Sequence, residues 1–159
     1  MTFIGMAHAE ITEFQRTATK QNVEEVTKKI SDLGINDVNV KSTDKGLTLS
    51  IENIQFKADS DILLESEKLK LNKIAEIISN YPNNYLLVTG HTALRGDERS
   101  RQELSEKRAE SVAQYLIQLG VKDNYHIFTQ GKGAKEPVAS NNTESGRSKN
   151  RRVEITILD

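Results

Sequence analysis

The spacing of apolar residues predicts one helix and one β-hairpin in the first third of the chain. A stripe of aliphatic residues at helical intervals over 22–33 predicts a short amphipathic helix, and Gly34 is placed to cap its carboxyl end. Residues 38–43 and 47–51 flank a turn that contains Gly46, which predicts two paired strands. Apolar and polar residues alternate in the second strand, so we expect the hairpin to have one face in the core and one in water.

Two further helices and a buried strand are predicted in the middle of the chain. Residues 66–81 carry apolar side chains at helical intervals, and a proline follows them. Residues 85–89 predict a buried strand, because three consecutive aliphatic residues leave no polar face. The segment 100–103 has the Ser-x-x-Glu form of a capping box, so a long helix is expected to begin at Ser100 and to end at Gly120.

The last third of the chain predicts two strands separated by a long loop. The strands are expected over 126–130 and 153–158, and the second alternates apolar and polar residues. Residues 131–149 are rich in Gly, Asn, Ser and Lys and predict a loop that can contain helical turns. Strands separated by helices, with a hairpin added, predict an α/β sandwich in which helices cover one face of a mixed sheet.

Length and composition limit the classes of protein that fit this pattern. The chain has 159 residues, which suits one domain with an extension better than two full domains. Its 22 Lys and Arg residues nearly cancel its 23 Asp and Glu residues, so no overall field draws it to nucleic acid or to an anionic membrane. The chain has no cysteine, which excludes disulfides, thiolate metal sites and a cysteine nucleophile. No apolar run approaches the ~20 residues that a membrane-spanning helix needs.

Residues 1–21 are expected to be a leader or an N-terminal extension. Ala7-His8-Ala9 has the small-x-small form of a signal cleavage site. The basic segment and the full apolar stretch of a secretion signal are missing, so we interpret the match as a coincidence or as the end of a truncated leader.

Catalytic and metal sites have weak support in the sequence. Ser100 or Ser105 with His91 is the one combination that resembles a nucleophile and its base, but no Gly-x-Ser-x-Gly elbow accompanies it. Asp97 and Glu98 follow His91 without a ligand spacing typical of metal sites. The chain is therefore expected to have no enzymatic activity and no cofactor or metal.

Two arginines of the long predicted helix are better candidates for a binding site. Arg101 and Arg108 are seven residues apart, which places them on one stripe of the helix about 10 Å apart along its axis. Arg108 lies at the edge of the buried face, where an arginine either donates to a backbone carbonyl or holds a ligand carboxylate. The basic cluster 147–152 lacks the interleaved aromatic residues of a nucleic-acid site and is interpreted as a solvated, anion-facing patch.

A series of motifs in the second half of the chain resembles the OmpA-like C-terminal domain. The motifs occur in the family's order with compatible spacing and cover about Gly46 to Asp159. They are Thr89-Gly90-His91-Thr92, Gly96, Leu104-Ser105, Arg108-Ala109, Val112, Tyr115-Leu116, Gly120-Val121, Gly131-Lys132-Gly133, Pro137, Asn141 or Asn142, Thr143, Gly146-Arg147 and Asn150-Arg151-Arg152-Val153-Glu154-Ile155.

The resemblance implies a βαβαββ mixed sheet with helices on one face, preceded here by an extra helix and strand. Residues 22–45 would form that extension and residues 46–159 the OmpA-like domain. Such a domain binds the peptide stem of peptidoglycan without forming a covalent bond, and it holds an outer-membrane or envelope protein to the cell wall in the periplasm.

The resemblance also assigns ligand-binding residues, with two departures from the family pattern. The family's arginine for the carboxylate of diaminopimelate corresponds to Arg108. The family's aspartate for the ligand amine corresponds to Ala93, and an asparagine that usually follows it corresponds to Arg101. Losing an anion and gaining a cation should weaken recognition of an ammonium group. The full set of expected ligand-binding residues is Asp59, Thr92, Ala93, Leu94, Arg101, Arg108 and Arg151.

Three functions remain open on the sequence. The pocket binds a wall whose diamino acid differs from diaminopimelate, such as ornithine or lysine, with Asp59 taking the amine. Alternatively, it binds another carboxylate ligand through Arg101 and Arg108. In the third case the domain has lost wall binding and is a structural or protein-interaction module, in which Arg108, Arg151 and Arg152 serve the fold by satisfying loop carbonyls.

Overall fold

Five strands form one mixed sheet in the computed structural model, which describes residues 22–159. The sheet order is β1-β2-β5-β3-β4; β3 and β4 are parallel, and the other neighbours are antiparallel. The expected leader or extension over 1–21 lies outside the described residues. The elements are α1 (22–32), β1 (Val38–Ser42), β2 (Gly46–Glu52), α2 (Glu65–Ile78), β3 (Leu86–His91), α3 (Glu98–Gln118), β4 (Ile127–Gly131), α4 (Glu144–Asn150) and β5 (Arg152–Leu158).

The hydrophobic core lies between one face of the sheet and the helices. Alternate residues of the central strands, such as Leu49 and Ile155, are fully buried in it. Ile74 of α2 and Val112 of α3 belong to the same core, as does Val26 of α1. Full burial of one aliphatic side chain contributes about 1.5–3 kcal/mol. The mixed sheet with helices packed on it confirms the predicted α/β class, and the extra N-terminal helix and strand are present.

The opposite face of the hairpin is less exposed to solvent than the alternating pattern predicts. Thr48 and Ser50, expected in water, are 2% and 6% exposed. The expectation is wrong at these positions because β2 is an interior strand, flanked by β1 and β5. The hydroxyl groups of Thr48 and Thr156 share a hydrogen bond of 2.8 Å across the strands, which satisfies both polar groups without water.

Helix α3 begins earlier than the capping-box motif predicts. Its N-cap is Asp97, whose carboxylate accepts hydrogen bonds from the backbone N–H and the hydroxyl of Ser100, both at 2.9 Å. Ser100 is therefore inside the first turn and is not the cap, because an ionised carboxylate three residues earlier captures its amide. The carboxyl end agrees with the prediction, since Gly120 directly follows the cap residue Leu119 and has φ of 77°.

The segment predicted as a loop over 131–149 contains part of a short helix, α4. Thr143 caps it by accepting a hydrogen bond of 3.0 Å from the amide of Gly146. A Cβ atom at Gly146 would lie 1.8 Å from the backbone oxygen of Ser140, so the helix packs on the preceding loop at backbone distance. This tertiary contact, and not an apolar stripe, holds α4 in place.

Close packing of α3 on β3 positions the binding site. A Cβ atom at Gly90 would lie 2.1 Å from the backbone oxygen of Ser105, so only glycine permits the approach. The contact brings the first half of α3 beside the loop that follows β3.

Candidate functional site

A cavity of about 950 Å³ opens beside the loop after β3 and the first turns of α3. Every residue predicted to bind ligand lines it: Asp59, Thr92, Ala93, Leu94, Arg101, Arg108 and Arg151. The sequence analysis missed the other lining residues, which are Ala58, Arg95, Gly96, Ser100, Leu104, Asn141, Glu144 and Arg147. Leu104 precedes Arg108 by four residues and could have been predicted from helical spacing. Only the folding of α4 against the loop brings Glu144 to the cavity.

Arg108 has a half-buried side chain at the cavity wall. Its Nε–H donates to the backbone oxygen of Ser60 at 3.0 Å, and its guanidinium lies 4.7 Å from the centre of the Phe56 ring. Its Nη groups have no hydrogen-bond partner among the described residues. Burial lowers the pKa of Arg108, Asp59 raises it, and Arg151 lowers it again. The guanidinium is thus oriented by the protein while its outer edge stays available to an anion.

Arg101 holds the loop that leads into α3. Its Nη1 donates to the backbone oxygen of Gly96, five residues earlier. Its Nε is buried and has no partner among residues 22–159. Arg101 therefore adds positive charge to the cavity and carries a donor that the protein leaves unsatisfied.

The loop after β3 is held by hydrogen bonds that its backbone amides donate on both sides. The amide of Thr92 donates to the oxygen of Gly133 at 2.8 Å, and that of Leu94 donates to Asn141 Oδ1 at 3.3 Å. Between them Ala93 is 6% exposed, so a methyl group stands at the position of the family's aspartate. The hydroxyl of Thr92 is buried without a partner in the described part of the chain.

Asp59 lies on the other side of the cavity, in the segment after β2. Its φ of 52° is in the left-handed region, which non-glycine residues seldom adopt. The side chain is exposed, and its charge raises the pKa of Arg108. Asp59 and Arg108 thus face the same space.

Glu144 of α4 pairs with two arginines at the cavity rim. Its carboxylate bonds to Arg147 Nε at 3.1 Å and to an Nη of Arg151. The hydrogen bond from Arg151, followed by that from Arg147, lowers the pKa of Glu144. The lining therefore contains five arginines and two carboxylates, of which one is already paired.

The structure separates the serine and histidine side chains that the sequence suggested as a nucleophile and its base. Ser105 is fully buried, with its hydroxyl donating to Gln102 O at 2.8 Å and accepting from the amide of Gly133 at 3.0 Å. His91 projects from the opposite face of β3, where its Nε2 lies 3.6 Å from Glu154. Ser100 is bonded to Asp97. Within residues 22–159, histidine and acidic side chains form no group of three that could hold a metal ion.

The chain belongs to the OmpA family, which matches residues 55–151. It is 40% identical to the probable lipoprotein YiaD of Escherichia coli over 105 residues, which are 66% of this chain and 48% of YiaD. It is 39% identical to the peptidoglycan-binding protein ArfA of Mycobacterium tuberculosis, over 65% of this chain and 32% of ArfA. An outer membrane protein of Borrelia burgdorferi has a similar solved structure, with a TM-score of 0.64 at 38% identity, over 77% of this chain and 97% of that one.

These relatives confirm the family that the motifs imply. The chain spans about half or less of the length of the first curated relatives. None of the helices in the described region has the length and apolarity required to cross a membrane.

Proposed function

We propose that the cavity binds the peptide stem of peptidoglycan and thereby attaches an envelope protein to the cell wall in the periplasm. Membership of the OmpA family and the similarity to a peptidoglycan-binding protein support this function. The observation that carries it is Arg108, which is oriented through its Nε and the Phe56 ring while its Nη groups face a large cavity.

Arg108 provides the main contact in this proposal. A guanidinium with two free Nη groups matches a carboxylate in a planar, two-bond arrangement, and partial burial strengthens the attraction. Binding makes and breaks no covalent bond. The proposed activity is therefore binding and not catalysis.

The diamino acid of the stem is the portion of the ligand that the cavity holds. A carboxylate at the end of its side chain pairs with Arg108, as diaminopimelate would provide. Ornithine or lysine has no such carboxylate, so a wall built on either would present an amine whose partner is Asp59.

A protein-interaction module within the envelope is the second candidate. The substitution of Ala93 for the aspartate expected at this position favours it, because an ammonium group has no acid to meet there. In that case an outer-membrane or other envelope protein would occupy the surface around the cavity.

Sedimentation with purified sacculi distinguishes the two candidates. We expect the protein to pellet with sacculi from its own source and to be released by soluble stem peptides. Arg108→Ala should reduce pelleting. Arg99→Ala is the matched control, since Arg99 lies on the same helix outside the cavity and pairs with Glu103. Complete retention of the parent protein in the supernatant would exclude wall binding and leave the interaction module.

A further inference from the structure

The charges that line the cavity are unbalanced. Among the described residues that line the cavity, Glu144 is shared by Arg147 and Arg151, which leaves Arg95, Arg101 and Arg108 with one further lining carboxylate, Asp59. Asp61 and Asp97 lie just outside the lining, and their charges act on Arg108 and Arg101. The lining itself has a net positive charge, so a further positive charge on a ligand is disfavoured there.

Residues 92–96 of the loop after β3 contain no acid to compensate for such a charge. They supply a methyl group at Ala93 and a cation at Arg95, and the next residue, Asp97, bonds to Ser100. Arg101 adds a further cation through its contact with Gly96. A ligand group beside Ala93 therefore meets neutral or positive partners.

Two buried polar groups beside this loop lack partners in the described part of the chain, and their chemistry is complementary to an amide. Thr92 has a hydroxyl that can accept a hydrogen bond, and Arg101 has an Nε–H that can only donate. Both residues line the cavity. An amide satisfies both, with its N–H and its C=O, whereas an ammonium has no acceptor for the Arg101 donor.

We propose, resting on the wall-binding function above, that this site selects stem peptides whose side-chain amine is acylated, as in a peptide cross-link, over peptides with a free ammonium. The carboxylate of the same residue pairs with Arg108. The amide lies beside Ala93, between Thr92 and Arg101. The site then distinguishes cross-linked from free stems by charge.

Calorimetric titration at pH 7 with two stem tripeptides tests the selection. The peptides contain diaminopimelate and differ only in acetylation of its distal amine. We expect the acetylated peptide to bind the parent protein at least ten times more tightly. Ala93→Asp should reverse the order, because the new carboxylate pairs with the free ammonium. Gln114→Glu adds the same charge at an exposed position of α3 outside the cavity and should leave the order unchanged.

The outcomes separate this selection from wall binding itself. If the free-amine peptide, or an ornithine peptide, binds as tightly as the acetylated one, the selection is wrong and wall binding stands. The same holds if sacculi bind but neither tripeptide does. If neither the peptides nor the sacculi bind, both ideas fail. Should Ala93→Asp not fold, Arg101→Gln provides the second test and is expected to reduce the preference at least threefold; an unchanged preference contradicts the role of Arg101.

Discussion

Arg151 and Arg152 are neighbours in the chain but belong to two different clusters of charge. Arg151 lines the cavity, where arginines outnumber carboxylates. Arg152 begins β5 and is 3% exposed; it donates to Glu136 O and Glu154, both at 3.0 Å. On that face of the sheet one carboxylate, Glu154, is surrounded by basic side chains, with Lys41 at 3.7 Å and His91 at 3.6 Å.

The difference between the clusters indicates which arginines serve the fold and which are available to a ligand. Burial raises the pKa of Glu154, but the contacts with His91 and Arg152 outweigh it and bring the pKa to about 2. In this cluster on the sheet, which consists of Lys41, His91, Arg152 and Glu154, Arg152 pairs with Glu154 and the pair contributes to stability. In the cavity, the Nη groups of Arg108 have no hydrogen-bond or ion-pair partner among residues 22–159, so they remain available to a ligand.

The largest effect should come from replacing the buried arginine. Arg152→Ala is expected to lower the free energy of unfolding by about 3 kcal/mol, because it removes a buried guanidinium and leaves the partly buried Glu154 without its closest partner. Arg151→Ala, one residue earlier, should cost less than ~1 kcal/mol, since its ion pair with Glu144 is exposed. Urea unfolding of both variants measures the difference. Equal costs would show that the two clusters are not energetically distinct.

The second-largest effect should come from acid, which protonates Glu154 and weakens its contacts on the sheet. Because the pKa of Glu154 falls from 4.5 to about 2 on folding, its contribution is complete above pH 4.5 and is lost as the pH falls toward 2. The lost stability is about 3 kcal/mol. Urea unfolding between pH 5 and pH 2 should show this loss in the parent and a flatter profile in Glu154→Gln. A variant profile as steep as that of the parent would contradict the assignment.

Substitution of Arg108 should change ligand affinity, whereas substitution of Arg152 should change stability. A bidentate contact with a carboxylate contributes about 1.5–3 kcal/mol, so Arg108→Ala should weaken binding of wall fragments by about one to two orders of magnitude. Arg108→Lys should recover little, because an ammonium has no planar fork. If Arg108→Ala folds and binds sacculi as the parent does, Arg108 serves the fold like Arg152.

The smallest effect is expected at the cavity rim. Glu144→Gln removes an exposed carboxylate and frees Arg147 and Arg151, so stability should change by less than ~1 kcal/mol. Affinity for a carboxylate peptide should rise a few-fold and fall again with added salt. Calorimetry at two salt concentrations measures this effect. Weaker binding by the variant would show that Glu144 itself contacts the ligand.

The local spacing of apolar residues was sufficient to predict most of the helices and strands. Helices α1 to α3 and all five strands were predicted to within a few residues, because each buries a face whose apolar residues repeat at the helical or strand period. Helix α4 was not distinguished from a loop, since its glycine, serine and asparagine carry no such period. The buried polar residues of β2 were also misjudged, because the sequence does not show that β2 lies inside the sheet.

The features of the candidate site also divide into those that the sequence predicted and those that only the fold revealed. The sequence by itself determined the order of the motifs, the stripe that holds Arg101 and Arg108, and the absence of an acid at Ala93. Tertiary structure alone decided that Glu144 pairs with both Arg147 and Arg151, and that consecutive arginines belong to different clusters. The physical reason is that charge balance depends on which side chains meet in space, and residues 59, 93, 108 and 144 meet only after the loops have packed around α3.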